Sequence, residues 1–448
     1  MNFTKRIIVL FISMLLIFSL SFAVFAATPY NIDLPIMSES VYFVNRDTKM
    51  VVYDKNKDLK VPASSLVKMM TVILTLESCG DENIETFLDK PLTAKRYIFD
   101  RLYLKNAATV DIRRGETISM RDAIYATMLC SASEATMILA DYISGDNIDD
   151  FVAKMNEKAK EIGMENTVFA DPDGLSEENQ STVYDMYLLT EYCLQNPTFE
   201  KIATSQSYMM SATDKHPEQR KIQHSNHMMS RYLGGKYYDE RVRGIKTASF
   251  NGKKSLISLA SEDNYNYLLI TMGAPQTEEN NSYADALGLY KWAFKNLRLV
   301  TIGIPGEKMI PNSIKVNMGQ NTDSVVLTLK DQVVELLPKS INSSTIFWDT
   351  SKLPSEVNAP IKKGQVLGQV DLKLSDQVIQ TVDVVAANDI DLNILSFSTN
   401  IIQSVLLSWW FISIVISVVL VIVCIRIVRH VTRKNKVRRY HRSKKMRK

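Results

Sequence analysis

The residues best suited to covalent chemistry stand in three short groups. The first is Ser65-Leu66-Val67-Lys68. On a helix, positions i and i+3 share a face, so the Lys68 amine can sit beside the Ser65 hydroxyl. A serine attacks a carbonyl when a neighbour takes its proton, and an amine with a pKa lowered by burial and nearby positive charge can do that. Backbone N–H groups at a helix start would point towards the attacked carbonyl. The second group is Ser131-Ala132-Ser133, at the turn within ATMLCSASEATMILADYISG, and the third is Lys246-Thr247-Ala248, ahead of a strand-like run. A lysine and a hydroxyl on an edge strand can receive a carboxylate while the strand backbone pairs with an extended peptide. Taken singly, each group also reads as ordinary structure: Ser65 and Lys68 as helix residues, Ser131 and Ser133 as a helix cap, Lys246 as a solvated strand lysine.

The elements that must position these groups follow from apolar periodicity. Residues 65–78 carry Leu66, Met69, Met70, Ile73, Leu74 and Leu76 at helical spacing, and residues 121–144 repeat the pattern with Ile124, Met128, Ile138 and Leu139. SYADALGLYKWAFKNL, residues 282–297, reads as another amphipathic helix. Residues 41–44, 50–53, 255–260 and 267–272 read as strands, the last two paired across a polar turn at 261–266. After residue 300 the chain becomes strand-like, at 313–318, 324–330, 333–338, 365–374 and 378–387, which predicts a small all-β module.

The two ends bear on location. Lys5 and Arg6 precede an uncharged apolar run from Ile7 to Phe25, and Val24 and Ala26 suit a cleavage before Ala27. That order predicts a signal peptide over residues 1–26, an uncleaved N-terminal anchor being the competing reading. Residues 392–425 carry no charge, which predicts a transmembrane helix over 402–425 with Trp409 and Trp410 near its outer end. Residues 426–448 hold twelve Lys and Arg and no acid, a basic tail expected on the cytoplasmic side. Setting aside those twelve with Lys5 and Arg6 leaves 39 basic against 49 acidic residues in the exported body. An acidic body with basic membrane flanks gives no support to a nucleic-acid partner. The four cysteines form no disulfide framework, and the five histidines show no metal-ligand spacing, so metal catalysis has no support.

The three groups, in this order, resemble the SxxK, SxN and KTG boxes of penicillin-binding proteins and serine β-lactamases. Within that group the chain is similar to the low-molecular-weight D-alanyl-D-alanine carboxypeptidases. RRGETISMRDAIYATMLCSASEAT resembles the lead-in to SxN, and NTVFADPDGLSEENQSTVYDMYLLTEYCLQNPTFEKI the stretch with "NPHGL" and "TAYDMA". HSNHMMSRY, with Asn226, resembles the segment before KTG, and NAPIKKGQVLGQV the family's C-terminal β domain. The resemblance implies an α/β (α+β) catalytic domain over 28–298, an all-β domain over 299–395, then the transmembrane helix. It implies Ser65 as acylated nucleophile, Lys68 as general base and Ser131 as proton relay to the departing D-alanine. Lys246 and Thr247 would hold the terminal carboxylate, Ser133 would stand on the substrate side, and the N–H groups of Ser65 and Ser249 would form the oxyanion hole. The implied partners are peptidoglycan stem peptides and, as covalent inhibitors, β-lactams; the chemistry needs no metal or organic cofactor.

Several positions depart from the family's pattern. Ser133 replaces the Asn of SxN, and a hydroxyl is shorter and has one donor where an amide has two. Ala248 replaces the Gly of KTG, adding a Cβ where backbone and peptide come close. Asp173 stands at the His of the HGL turn, and residues 273–290 contain no Arg for the substrate carboxylate. Three functions therefore remain open: a carboxypeptidase, a catalytically weak cell-wall binding or scaffold protein, and a β-lactamase, for which no deacylating carboxylate stands out. Cys130, next to Ser131, reads as a small buried hydrophobe.

Overall fold

Alternating apolar side chains build the central sheet and bury it on both faces. The structure is a computed structural model that describes residues 30–307, 313–341, 345–374 and 377–445; the expected signal peptide lies outside them. Ser40–Asn45 (β1), Val51–Lys55 (β2), Val242–Phe250 (β3), Lys253–Glu262 (β4) and Tyr265–Pro275 (β5) pair antiparallel in the order β2-β1-β5-β4-β3. Tyr42 and Val44 of β1 enter one apolar cluster, while Val41 and Phe43 enter the other. On β5, Leu268 and Ile270 divide from Tyr267 and Leu269 in the same way. Successive strand residues face opposite sides, so a sheet covered twice reads as continuously apolar. Each fully buried Phe or Leu contributes about 1.5–3 kcal/mol.

Helices cover the two faces. Lys68–Glu77 (α1), Met120–Cys130 (α2) and Ser133–Ser144 (α3) pack on one side, where Met69, Met70, Leu129 and Ile138 share a cluster with Val44 and Ile270. Asn281–Asn296 (α4) covers the other, with Leu289, Tyr290 and Ala293 against Phe43 and Tyr267. Two-residue hairpins extend the strands beyond the expected limits. Asn251-Gly252 joins β3 to β4 and Asp263-Asn264 joins β4 to β5, all four residues with φ between 45° and 74°. Such turns require positive φ at both positions, which Asn, Asp and Gly tolerate. β3 is left at the sheet edge, and its register sets Lys254 directly opposite Ser249.

One helical expectation needs correction. Residues 65–78 are not one α-helix: Ser64–Val67 forms a 3-10 turn and α1 begins at Lys68. In a 3-10 turn i and i+3 eclipse, which still brings Ser65 over Lys68. The turn expected at Ser131-Ala132-Ser133 is present: it divides residues 121–144 into α2 and α3, with Ser131 at φ 58°.

The described residues up to Leu299, joined by Leu336–Ser340, form the first compact unit. Leu336 lies in the stretch expected for the all-β module, yet it is buried beside α4 and its carbonyl accepts from the Tyr30 hydroxyl at 2.5 Å. The second unit, Val300–Glu335 with the residues from Ile341 onward, contains a four-stranded and a three-stranded sheet around Val325, Ile361, Val370, Leu372 and Val384. It ends in two helices, Ile394–Leu406 (α5) and Trp409–Lys445 (α6). The apolar run read as a single helix over 402–425 is thus divided at Leu407-Ser408; the Ser408 carbonyl opens a new ladder by accepting from the Ile412 N–H at 3.0 Å. Within α6, Trp409–Lys434 is long and apolar enough to cross a membrane, with mean hydropathy 3.1.

Gly174 is held by packing against the nucleophile's turn. Gly174, at φ 76°, lies so close to the turn bearing Ser65 that an added Cβ would stand 2.2 Å from the Ser64 carbonyl oxygen. Gly174→Ala should therefore destabilise the first unit by about 3 kcal/mol, seen as a lowered Tm; an unchanged melt would refute this packing.

Candidate active site

A nucleophile needs a base, and the fold supplies one by burying an amine. α1 is apolar nearly all round, so Lys68, its first residue, is carried into the core and is 1 % exposed. Its Nζ lies 3.4 Å from both Ser65 Oγ and Ser133 Oγ, and it donates to the Asp173 carbonyl. Burial pushes the Lys68 pKa down, against the raising influence of Asp173, Asp171 and Glu134.

The second lysine arrives from the sheet edge. Lys246 of β3 is fully buried; it donates to Ser131 Oγ and, at 3.4 Å, to the Thr247 carbonyl. Burial, then the positive charge of Lys68, holds its pKa well below the ordinary lysine value. Ser131 meets it because the break between α2 and α3 puts this residue in a left-handed conformation, a strained geometry often found at functional sites. Thr247 donates to Ser225 Oγ at 2.7 Å, and the Ser225 N–H donates to the Leu129 carbonyl at 2.8 Å. Asn226 braces the same segment, its amide donating to the Gly244 carbonyl at 2.7 Å. The buried His224 accepts the Asn226 N–H at 2.9 Å and faces the Ala203 carbonyl with its other nitrogen; burial lowers its pKa to about 3, so the ring stays neutral.

The structure thus brings together every residue expected at the site. Ser65, Lys68, Ser131, Ser133, Thr247 and Ser249 line one cleft of about 800 Å³, with Lys246 beneath it against Ser131. Ser64 Oγ ties the nucleophile's turn to β3 by donating to the Ser249 carbonyl at 3.2 Å. The opposite wall is held by the buried Glu134, which accepts from Thr109 Oγ1 at 2.5 Å and the Val110 N–H at 2.7 Å; the Ser133 N–H donates to the Ala108 carbonyl. Among the described residues no Asp or Glu lines the cleft, whereas Lys68, Lys105 and Lys254 do.

Three features were missed or misread from the sequence. Asp173 was noted as a substitution but not as the carbonyl that caps Lys68; the residue is 4 % exposed, and its carboxyl pKa is raised to about 6 by burial, opposed by Lys68 and reinforced by Asp171. No local pattern announces a contact across that sequence distance. Lys254 was not singled out, although Asn251-Gly252 is a strong hairpin signal and fixes its position. Cys130 is half-buried and not buried: it lines the cleft, donates to the Gln223 carbonyl, and is kept a thiol by a raised pKa that burial causes.

Asp173 has a pH signature. With a folded pKa above its unfolded value, the folded state binds the proton more tightly, so its contribution to stability declines as pH rises from 3.8 to about 6. Asp173→Asn should remove that decline and stabilise the protein by about 2 kcal/mol at pH 7 relative to pH 4. Identical stability–pH slopes in the two proteins would contradict the assignment.

Comparison with known proteins agrees with this geometry. A family model described as D-alanyl-D-alanine carboxypeptidase matches residues 25–276, more than half of the chain, and a model of the penicillin-binding protein 5 C-terminal domain matches residues 305–392. The D-alanyl-D-alanine carboxypeptidase DacF of Bacillus subtilis is 27% identical over 355 residues, 79% of this chain and 85% of the relative. A D-alanyl-D-alanine endopeptidase of Pseudomonas aeruginosa is 32% identical over 211 residues, 46% of this chain and 63% of the relative. In fold, the chain is similar to penicillin binding protein 5 from Haemophilus influenzae, with a TM-score of 0.65 at 22% identity, over 81% of this chain and all of that one. The chain belongs to the D-alanyl-D-alanine carboxypeptidase family, the low-molecular-weight penicillin-binding proteins.

Proposed function

We propose that this protein is a working serine D-Ala-D-Ala carboxypeptidase that removes the terminal D-alanine of peptidoglycan stem peptides through an acyl-enzyme on Ser65. The observation that carries this reading is the paired arrangement of two depressed lysines, Lys68 against Ser65 and Lys246 against Ser131, in a cleft without a lining carboxylate. In acylation Ser65 Oγ bonds to the penultimate D-alanine carbonyl carbon while its proton passes to neutral Lys68. The N–H groups of Ser65 and Ser249 receive the developing oxyanion, and such preorganised donors supply much of a catalytic effect. The scissile C–N bond then breaks, and Ser131 passes a proton to the leaving D-alanine nitrogen. Lys246, with Thr247, offsets the charge of its carboxylate. Water attacks the ester, the shortened peptide leaves, and Ser65 regains its proton. A β-lactam would form the same ester and stay.

A second reading has its own support: Ser133 and Ala248 both alter the substrate side, and loss of one orienting group typically costs about 10²–10³ in rate. A catalytically impaired member would bind wall peptides without efficient turnover. Against full impairment, Ser133 Oγ remains 3.4 Å from Lys68 and keeps a polar contact there. A β-lactamase reading gains nothing, since fast deacylation needs a carboxylate facing the ester and none of the described residues lining the cleft carries one. The signal-like start, the apolar helix Trp409–Lys434 and the basic tail support a single-pass protein of the cell membrane with its catalytic unit on the outer side.

The test is covalent labelling of detergent-solubilised full-length protein by a fluorescent penicillin, read by mass. An adduct in wild type, absent in Ser65→Ala, is expected. Ser133→Asn with Ala248→Gly should raise the labelling rate by about 10²-fold if those two positions limit it. No adduct on folded wild-type protein would sink the enzyme reading and leave the binding protein.

A further inference from the structure

The direction of β3 gives the cleft two ends. Lys246 and Thr247 lie at one, beside Ser131, where the proposed leaving D-alanine sits; Ser249, Phe250 and Asn251 lie at the other. β3 is an edge strand, so an extended peptide pairing antiparallel with it would run its remaining residues past Ser249 towards Asn251. At that end the Asn251-Gly252 hairpin sets Lys254 opposite Ser249, and two residues directly opposite in an antiparallel pair project to the same face. Lys254 lines the cleft and is half-buried, yet its ammonium has no hydrogen-bond or ion-pair partner among the described residues.

Its neighbours do not offer the same free charge. Lys253 is tied to Glu39 at 2.6 Å. Lys68 and Lys246 are buried at the reacting end. Lys105 is exposed, and its charge acts on Asp173, at the Lys68 side of the cleft. A cation held in a partly dry groove without an anion is stabilised when a ligand brings one, and such pairs discriminate mainly by penalising like charge.

We infer that Lys254 is a specificity-determining residue for the acyl portion of the substrate, selecting stem peptides whose residue before D-Ala-D-Ala carries a side-chain carboxylate over those ending there in an ammonium. The inference rests on the orientation proposed for Ser65 and Lys246, and it names a substrate class for that same site.

The test uses three synthetic peptides ending in D-Ala-D-Ala, with aminopimelate, norleucine or lysine as the preceding residue, thus acidic, neutral or basic at matched length. Binding is measured on full-length Ser65→Ala protein, so turnover is not needed, and D-alanine release on wild type is measured beside it. The acidic peptide should bind about fivefold more tightly than the basic one at low salt, with the neutral peptide between, and the ratio should shrink as salt rises. Lys254→Met should bring the ratio to about one, and Lys254→Glu should reverse it. Binding without preference, or a preference that survives Lys254→Met, overturns this inference alone. Failure of all three peptides to bind overturns it together with the proposed function.

Discussion

Two amines taken out of water hold the account together. Removing a lysine from solvent favours its neutral form, and full burial can move such a pKa by several units. In this protein the cost falls on Lys68 and Lys246, neither of which has a carboxylate in direct contact among the described residues; their partners are hydroxyls and carbonyls. An acid at contact distance would restore the positive charge and remove the base. Asp173 shows how closely this is set: its carbonyl caps Lys68 while its carboxyl, itself pushed up by burial, acts only from a distance.

The surrounding architecture follows from that requirement. An α1 that is buried on nearly every side carries Lys68 inward. The sheet presents β3 at its edge, so that Lys246 enters from beneath while the outer backbone edge stays available to a peptide. The left-handed residue between α2 and α3 brings Ser131 onto Lys246, and the buried Glu134 holds the facing loop. Ser133 contacts the Lys68 amine at 3.4 Å without bringing it a charge, and Ala248 contacts neither amine. They bear on how a substrate is gripped, which separates the capacity to be acylated from the efficiency of turnover.

The pairing of Ser65 with Lys68 was legible in the sequence because it is local. Ser65 and Lys68 lie three residues apart, and the strand-like run after Lys246 announces its edge; the alternation in residues 41–44 and 267–272 announces a two-faced sheet. What escaped was non-local or conformational. Helical periodicity cannot tell a 3-10 entry at Ser64–Val67 from the first turn of α1, and the turn expected at Ser131 gave no sign of its left-handed backbone. The return of Leu336 to the first unit and the capping of Lys68 by Asp173 are contacts between distant residues, which composition and spacing do not encode. Lys254 is a different case, since the Asn251-Gly252 turn contained its register.

The central claim is that Lys68 acts as a neutral base because burial lowers its pKa. The most direct measurement is the second-order rate of Ser65 acylation by a penicillin across pH 5 to about 10.5, within the range where the folded protein persists. The account predicts a rate that rises with pH and levels off below the ordinary lysine value of 10.5. A rate that keeps climbing until that value, as for a solvated lysine, would contradict it.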